Sequence, residues 1–298
     1  MSSRRKRKQK SRLARMSWSE RFYACIKPLI TKRYRTTTKL LGETPLEATE
    51  HLRNALHLPP NIPLAYAGRL DPMATGKLLI LIGDTCKKQE LYHAFDKEYE
   101  VELLLGAHSD SGDVLGIIQT DGASMYTKED IMHACNSCIG AITLPYPHFS
   151  SKTVQGKALH TWALEERLNE IQIPQKQSNI YSIKATKLCT VSKYDISTQA
   201  RKKINTIPHV TDARKKLGAD FRRTDVLASW EKFEESPQET FQVLSFTCIA
   251  SSGTYMRSLA EHIASKLGTQ GLALSIHRTK IGTYKTIYRN HGFWLKSF

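Results

Sequence analysis

No stretch of this sequence approaches the roughly 18 consecutive apolar residues of a membrane-spanning helix, so a soluble protein is expected. Neither a phosphate-loop nor a dinucleotide-binding glycine pattern occurs, which argues against an enzyme built around either. The acidic turn Ser109-Asp110-Ser111-Gly112-Asp113 lacks the twelve-residue ligand pattern and closing glutamate of a calcium loop. Cysteine is sparse, six in 298 residues, and only Cys135 and Cys138 stand close together. Zinc would need two more ligands, no second close pair exists, and His133 falls on the wrong helical face. Ile131, Cys135, Cys138 and Ile139 instead share helical spacing, which places both sulfurs in a core. Scattered thiols without an apolar signal segment point to a reducing compartment. No metal and no cofactor is expected.

Acids are missing from residues 1–15, which carry Arg4, Arg5, Lys6, Arg7, Lys8, Lys10, Arg12 and Arg15. Over the chain 44 lysines and arginines face 28 acids, a formal charge of +16. Half of that excess therefore sits in a tail, here bounded at 1–20, expected to be disordered alone. Three readings of the tail stay open: an RNA-gripping arm, a nuclear address, or an Arg-rich transit segment. The charge itself favours a polyanionic partner through steering and counterion release, without indicating sequence selectivity.

What is present centres on Ala65-Tyr66-Ala67-Gly68-Arg69-Leu70-Asp71-Pro72-Met73-Ala74-Thr75-Gly76. Pro72 has no N–H and disfavours helical geometry at Asp71, so the acid belongs in an extended or turn conformation. Gly68 and Gly76 permit sharp bends on either side. The run Leu78–Ile82 then reads as a buried strand ended by Gly83. An acid on a stiff loop against such a strand suits a nucleophile or general base that must not wander. The same residues also describe a plain Asp-Pro turn whose carboxylate accepts a backbone hydrogen bond.

An ordered body is expected from about Phe22. Lys27-Pro28 is followed by a basic patch (Lys32, Arg33, Arg35, Lys39). Thr44 caps a helix with Pro45 at its first position and a stripe through Leu46, Leu52, Ala55 and Leu56. Tyr99, Val101, Leu103 and Leu105 alternate with Glu98, Glu100 and Glu102, a strand with one buried face. Tyr99 points inward there, as a core aromatic or as a platform at a pocket edge. Further elements are a strand over Val114–Ile118, a helix over Lys128–Gly140, a helix around Leu159–Leu168 and a strand over Tyr181–Tyr194. From Thr198 to about Glu235 the chain turns charged and helical. Residues 201–223 hold eight lysines and arginines against two aspartates, either an RNA-contacting insertion or a solvated face. Phe241–Ala250 is a strand whose alternation changes phase near Val243-Leu244, as at a bulge. Met256, Leu259, Ala260, Ile263, Ala264 and Leu267 stripe the next helix, ended by Gly268. Arg257 lies in its first turn, where a cation opposes the helix dipole and calls for a carboxylate partner. Ala273–Ile276 and Ile281–Ile287 complete the strands. Without regular βαβ repetition the expected class is α+β.

Gly68-Arg69-Leu70-Asp71-Pro72-Met73-Ala74-Thr75-Gly76 resembles the catalytic motif of the TruB-type tRNA pseudouridine synthases. Lys97-Glu98-Tyr99 resembles that family's basic-x-Tyr motif at a fitting interval. Ser109–Asp113 with Gly116 is similar to its Thr-Asp-Thr-x-Asp-x-x-Gly segment, and Lys152 to His160 to its Lys-x-x-Gly-Lys element. Gly253-Thr254-Tyr255-x-Arg257 matches its Gly-Thr-Tyr-x-Arg helix start, and Gly271–Arg278 its closing strand. These ordered matches cover most of residues 65–280. The resemblance implies a mixed, largely antiparallel central sheet flanked by helices, and cofactor-free isomerisation of uridine-55 in the tRNA T loop. It implies Asp71 as nucleophile on a flipped-out uridine, and Tyr99 stacking on the base and taking the C5 proton. Arg257 would pair with Asp71 and keep it ionised. Tyr66, Asp113, Tyr255 and Ile276 would bind the nucleotide.

Three departures accompany the resemblance. Tyr66 stands where the family usually has a histidine that wedges into the T loop, and an aromatic there can still stack. The lysine-proline motif reads as split, Lys27-Pro28 being separated from Gly42-Glu43-Thr44. The chain ends soon after the catalytic sheet, with no C-terminal PUA domain expected. The organisation expected is thus the tail, then a catalytic domain over 21–298 with a basic helical insertion at about 198–238. The expected partner is the T arm of tRNA, with no membrane and no obligatory protein partner, on a monomer in the cytoplasm, or in a nucleus or mitochondrion if the tail is an address. The competing readings are a pseudouridine synthase for another or broader RNA set, a non-catalytic tRNA-binding or tRNA-folding protein, and an unrelated basic enzyme.

Overall fold

Leu78 to Ile82 are apolar at every position, and a run without alternation needs cover on both faces. Ala48, Leu78 and Ile80 pack together on one side beside Leu52, Leu64 and Tyr66. Ala67, Leu79, Leu81 and Ile281 pack on the other, with Tyr34, Tyr92, Phe95 and Phe298 around them. The structure, a computed structural model, describes residues 33–120, 122, 125–209, 218–288 and 290–298. The basic tail, Lys27-Pro28 and the cations at 214–216 lie outside the described residues.

In chain order, strand β1 (Tyr34–Lys39) leads to helix α1 (Pro45–Ala55), then the hairpin strands β2 (Leu64–Ala67) and β3 (Thr75–Ile82). The first strand was not expected within the basic patch; Thr36-Thr37-Thr38 is the β-branched run that makes it. Thr44 and Glu47 close a capping box on α1, with Pro45 inside the first turn. Helix α2 (Gln89–His93) precedes β4 (Asp96–Leu105), β5 (Ala107–Ser109) and β6 (Ile118–Thr120). The strand expected from Val114 is a turn up to Ile118. Asp113 and Asp110 take the N–H groups of Leu115 (2.9 Å) and Ile117 (3.0 Å), which a ladder would have needed.

Helix α3 (Lys128–Ser137), β7 (Gly140–Pro145), the short ribbon β8 (Thr153–Val154) and β9 (Lys157–Ala158), and α4 (Leu159–Leu164) follow. Strand β10 (Gln175–Ser192) begins earlier than expected, and Ser192 caps α5 (Lys193–Thr206), so Tyr194 is helical. Helix α6 (Gly218–Phe233), β11 (Thr240–Ala250), α7 (Met256–Lys266), β12 (Gly271–Tyr288) and β13 (His291–Ser297) end the chain. The phase change expected in β11 has its irregularity in β10, where the pairing slips between Ala185 and Lys187 opposite Phe246 and Ser245. The register of β11 against β4 runs unbroken from Val243 to Ala250. Two expected strands near the C-terminus are one, β12, with register shifts at Ala273/Ser275 and Arg278/Lys280.

The main sheet has the order β1-β3-β12-β4-β11-β10-β7, with β2 on β3 and β13 on β12. All pairings are antiparallel except β3 with β12, which touch in parallel at Thr75–His277 and Gly76–Arg278. The fold is therefore α+β, a mixed and largely antiparallel sheet flanked by helices. One large core joins α3, α5, α6 and α7 to the sheet, and Cys135 and Cys138 lie buried within it. Trp230 of α6 is fully buried and donates to Val114 O at 3.1 Å. The helical region after Thr198 is thus anchored in the core.

Candidate active site

The hairpin between β2 and β3 carries Asp71, and its loop is fastened by two buried cations. Lys39, at the end of β1, donates to Pro72 O (3.3 Å), Ala74 O (2.6 Å) and Leu40 O (3.0 Å). Arg278 donates to Arg69 O (3.2 Å), Gly68 O (3.3 Å) and Lys77 O (2.7 Å) from β12. Gly42 N and Ala74 N bond to Pro72 O and Asp71 O, at 3.1 and 3.0 Å. Gly76 has φ +105, and a Cβ there would lie 2.4 Å from Arg278 O, so only glycine lets the strands meet. The loop is rigid because its carbonyls face donors that have nowhere else to go.

Arg257 opens α7 and is almost fully buried. Its Nε lies 3.0 Å from Asp71 Oδ2 and its Nη1 3.5 Å from Asp113 Oδ2. The Nε–H is not aligned for a hydrogen bond, so the Asp71 contact is an ion pair by proximity. Nη1 donates to Ser111 O (2.9 Å) and Nη2 to Phe149 O (3.3 Å), which fixes the guanidinium plane. Burial pulls the Arg257 pKa down, but Asp71 and Asp113 together more than reverse this and it ends raised. Burial raises the Asp113 pKa against the pull of Arg257, although Leu115 N and Ser111 Oγ bond its carboxylate.

Tyr99 sits in β4 between Arg278 of β12 and Cys248 of β11. Burial raises its pKa, and the nearby Arg278 charge only partly offsets that. The phenol therefore keeps its proton at neutral pH. Lys97, two residues earlier, is buried and donates to His93 O (2.7 Å), Phe95 O and Ser252 Oγ (3.2 Å). Burial brings its pKa down to about 7. It ties α2 to the turn before Gly253, where a Cβ would meet Lys176 at 2.9 Å.

These elements surround one cleft of about 640 Å³. Asp71, Tyr99, Arg257, Tyr66, Asp113, Tyr255 and Ile276 all line it, so the fold gathers every site residue singled out in the sequence. Tyr255 meets Tyr146 edge-on at 5.3 Å between ring centroids. An ion-paired carboxylate facing a buried aromatic and an aliphatic wall can take a planar base and deliver a nucleophile. Residues 63–205 match the family described as TruB family pseudouridylate synthase, N-terminal domain.

That match lies within a longer likeness. The chain is similar to the tRNA pseudouridine synthase B of Caldicellulosiruptor saccharolyticus, 25% identical over 246 residues, 83% of this chain and 66% of that protein. It is also similar to the protein of the same name from Lactobacillus acidophilus, 28% identical over 239 residues, 80% of this chain and 64% of that one. The chain thus spans just under two thirds of the length of these relatives. Among solved structures, a chain of a Cbf5-Nop10-Gar1 complex aligns with a TM-score of 0.48 and 15% identity, over 84% of this chain and 48% of that chain.

Lys39 and Arg278 escaped the sequence reading as site residues. Among the described residues, the lysine that reaches the Asp71 loop is Lys39, three residues before Gly42. Arg278 shares strand parity with Ile276, a signal that it faces the same cleft. Of the cations in 201–223, Arg201 pairs with Glu234 and Lys203 donates to Leu274 O. Arg223 grips Asp220 and the carbonyls of Ile204 and Ile207. Those three are structural ties within the protein.

Proposed function

We propose that the protein is a pseudouridine synthase that converts uridine-55 in the T loop of tRNA, with Asp71 as its nucleophile. The observation that carries this reading is the ion pair of Asp71 with buried Arg257, on a loop fixed from both sides, in a cleft walled by Tyr99 and Ile276. The target uridine must leave its stack to reach Asp71, and a loop-borne base needs the least energy to do so. Tyr66 at the mouth would fill the space the base vacates. Asp71 then acts at the ribose, by attack on C1′ or through a glycal. The N1–C1′ bond breaks, the uracil turns, and the C5–C1′ bond forms as C5 gives up its proton. Tyr99 stacks as a neutral phenol, so it accepts the C5 proton only while its own passes through water to uracil N1, which gains one in the isomerisation. Arg257 orients the carboxylate by its charge, and Asp113 and Tyr255 restrain the nucleotide.

The partner in this reading is the T arm, bound by a monomer without an obligatory protein partner, with the cytoplasm as its compartment. Residues 21–298 act as one catalytic domain, with 198–238 an insertion in it. A broader RNA set is the second reading, favoured by Tyr66 at the position that chooses which loop is opened. Mapping pseudouridine in a T-arm RNA after treatment with wild type and Asp71→Asn tests the proposal. Wild type should convert the uridine, and the variant should bind RNA and make no product. Full activity in Asp71→Asn would remove the nucleophile, and a wild type that binds without converting would favour the non-catalytic reading.

A further inference from the structure

Most cations at the cleft are committed to the protein. Lys97, Arg223, Arg257 and Arg278 spend their N–H groups on carbonyls and carboxylates. Arg69 of the Asp71 loop bonds Ser151 Oγ at 2.8 Å, and Arg222 of α6 is likewise only partly committed. Its Nη1 donates to Asp110 Oδ2 at 2.6 Å, and its guanidinium lies 4.4 Å over the Phe149 ring. Those two contacts orient the fork without filling it. Nε is buried with no hydrogen-bond partner, and Nη2 makes none among the described residues. The side chain is 21% exposed and lines both the cleft and a neighbouring cavity of about 370 Å³. That cavity also has Asp110 and Glu166 on its wall, whereas the cleft-side Asp220 is already paired with Arg223.

A planar cation held in advance by a carboxylate and an aromatic ring, with Nη2 unspent among the described residues, suits a phosphodiester. Arg222 is also close to the catalytic framework. Phe149, whose ring it covers, gives its carbonyl to Arg257, and Asp110 belongs to the same turn as Asp113. We propose that Arg222 is a substrate-binding residue that takes a backbone phosphate of the RNA next to the target nucleotide, making α6 a wall of the RNA site. This inference rests on the function proposed above and goes beyond it by assigning the helical region after Thr198 a direct contact.

The competing role is structural, a bolt between α6, the Asp110 turn and Phe149. Binding of a T-arm hairpin across a salt series, together with single-turnover conversion, separates the two for Arg222→Gln and Arg222→Lys. Arg222→Gln should weaken binding about tenfold, the ratio one charge-assisted hydrogen bond commands. It should also flatten the slope of log K against log salt by about 0.7–0.9, one phosphate's worth of counterion release. Conversion at saturating RNA should stay within about twofold, since the contact is kept equally in the ground and transition states. Arg222→Lys should restore the slope. An unchanged slope in Arg222→Gln, or slower conversion with unchanged binding, overturns the proposal. If wild type binds the hairpin but makes no pseudouridine, the proposed function falls while the slope still decides Arg222. If wild type binds no RNA, both fall.

Discussion

Replacing Lys39 by methionine should cost activity far more than stability, and the structure shows why. The ammonium is fully buried and serves three carbonyls. Burial lowers its pKa from 10.5 to about 8, with Glu43 and Asp71 offsetting part of the effect. That shift corresponds to about 3 kcal/mol working against the charged form in the fold. The unfolded lysine keeps its proton to about 10.5 and the folded one releases it near 8, so unfolding takes up a proton between these values. The cost is therefore full below pH 8 and lifts as pH climbs through that window. Methionine removes this cost but also the hydrogen bonds, each about 1.5–3 kcal/mol when charge-assisted. Pro72 O keeps Gly42 N as a donor, whereas Ala74 O loses its buried one. The opposing terms nearly cancel, leaving a stability change of about 1–2 kcal/mol in urea unfolding at pH 7. The Asp71 loop, however, loses its tether to β1. A displacement of about 1 Å at a reacting group can cost on the order of 100-fold, so single-turnover pseudouridine formation should fall by about 10- to 100-fold. Unchanged turnover would refute the tether, and a stability loss above about 4 kcal/mol would refute the cancellation.

Two further tests address the charges behind the site. Arg257→Lys keeps the charge but cannot meet Asp71, Ser111 O and Phe149 O from one plane, so kcat should fall at least about 10-fold with RNA affinity nearly kept; equal turnover in steady-state assays would end its role. Burial brings the Glu261 pKa up to about 7, above its ordinary 4.5. Its carboxyl thus favours the fold below pH 4.5, and that advantage is lost as pH rises to 7. Denaturant unfolding should show a fall on the order of 2–3 kcal/mol over this range that is absent in Glu261→Gln; parallel profiles for the two proteins would contradict it.

Much of the site was legible because it is built from short segments with local meaning. Pro72 and the glycines fix the Asp71 turn, strand parity turns Tyr99 inward, and Arg257 opposes the helix dipole without a visible partner. Each of these is a statement about neighbouring residues. Lys39 and Arg278 were not legible as site residues, because their purpose is to satisfy carbonyls on a loop far away in sequence. A lysine in a basic patch looks solvated until the fold shows it closed over. The turn after Asp113 was misread for a related reason: Val114-Leu115-Gly116-Ile117-Ile118 has strand composition, but two upstream carboxylates claim its N–H groups. The bulge expected near Val243-Leu244 lies instead in the partner strand between Ala185 and Lys187, since a pairing slip also disturbs the strand that carries no extra residue.

Arg257 faces two carboxylates, and their surroundings divide the work. At an effective dielectric of about 20, one charge 3.5 Å away is worth on the order of 5 kcal/mol to buried Asp113. Asp113 is buried, and its raised pKa shows that burial outweighs this attraction. Asp71 is 35% exposed and shares its charge with water as well as with Arg257. Under the proposed function, a base entering the cleft displaces that water. Arg257 then becomes the main counter-ion of Asp71, and its attraction strengthens as the local dielectric falls. The carboxylate that stays wet in the free protein is therefore the one whose reactivity depends on the base being in place. The buried one, Asp113, orients the arginine from its other side as well as facing the nucleotide in that reading.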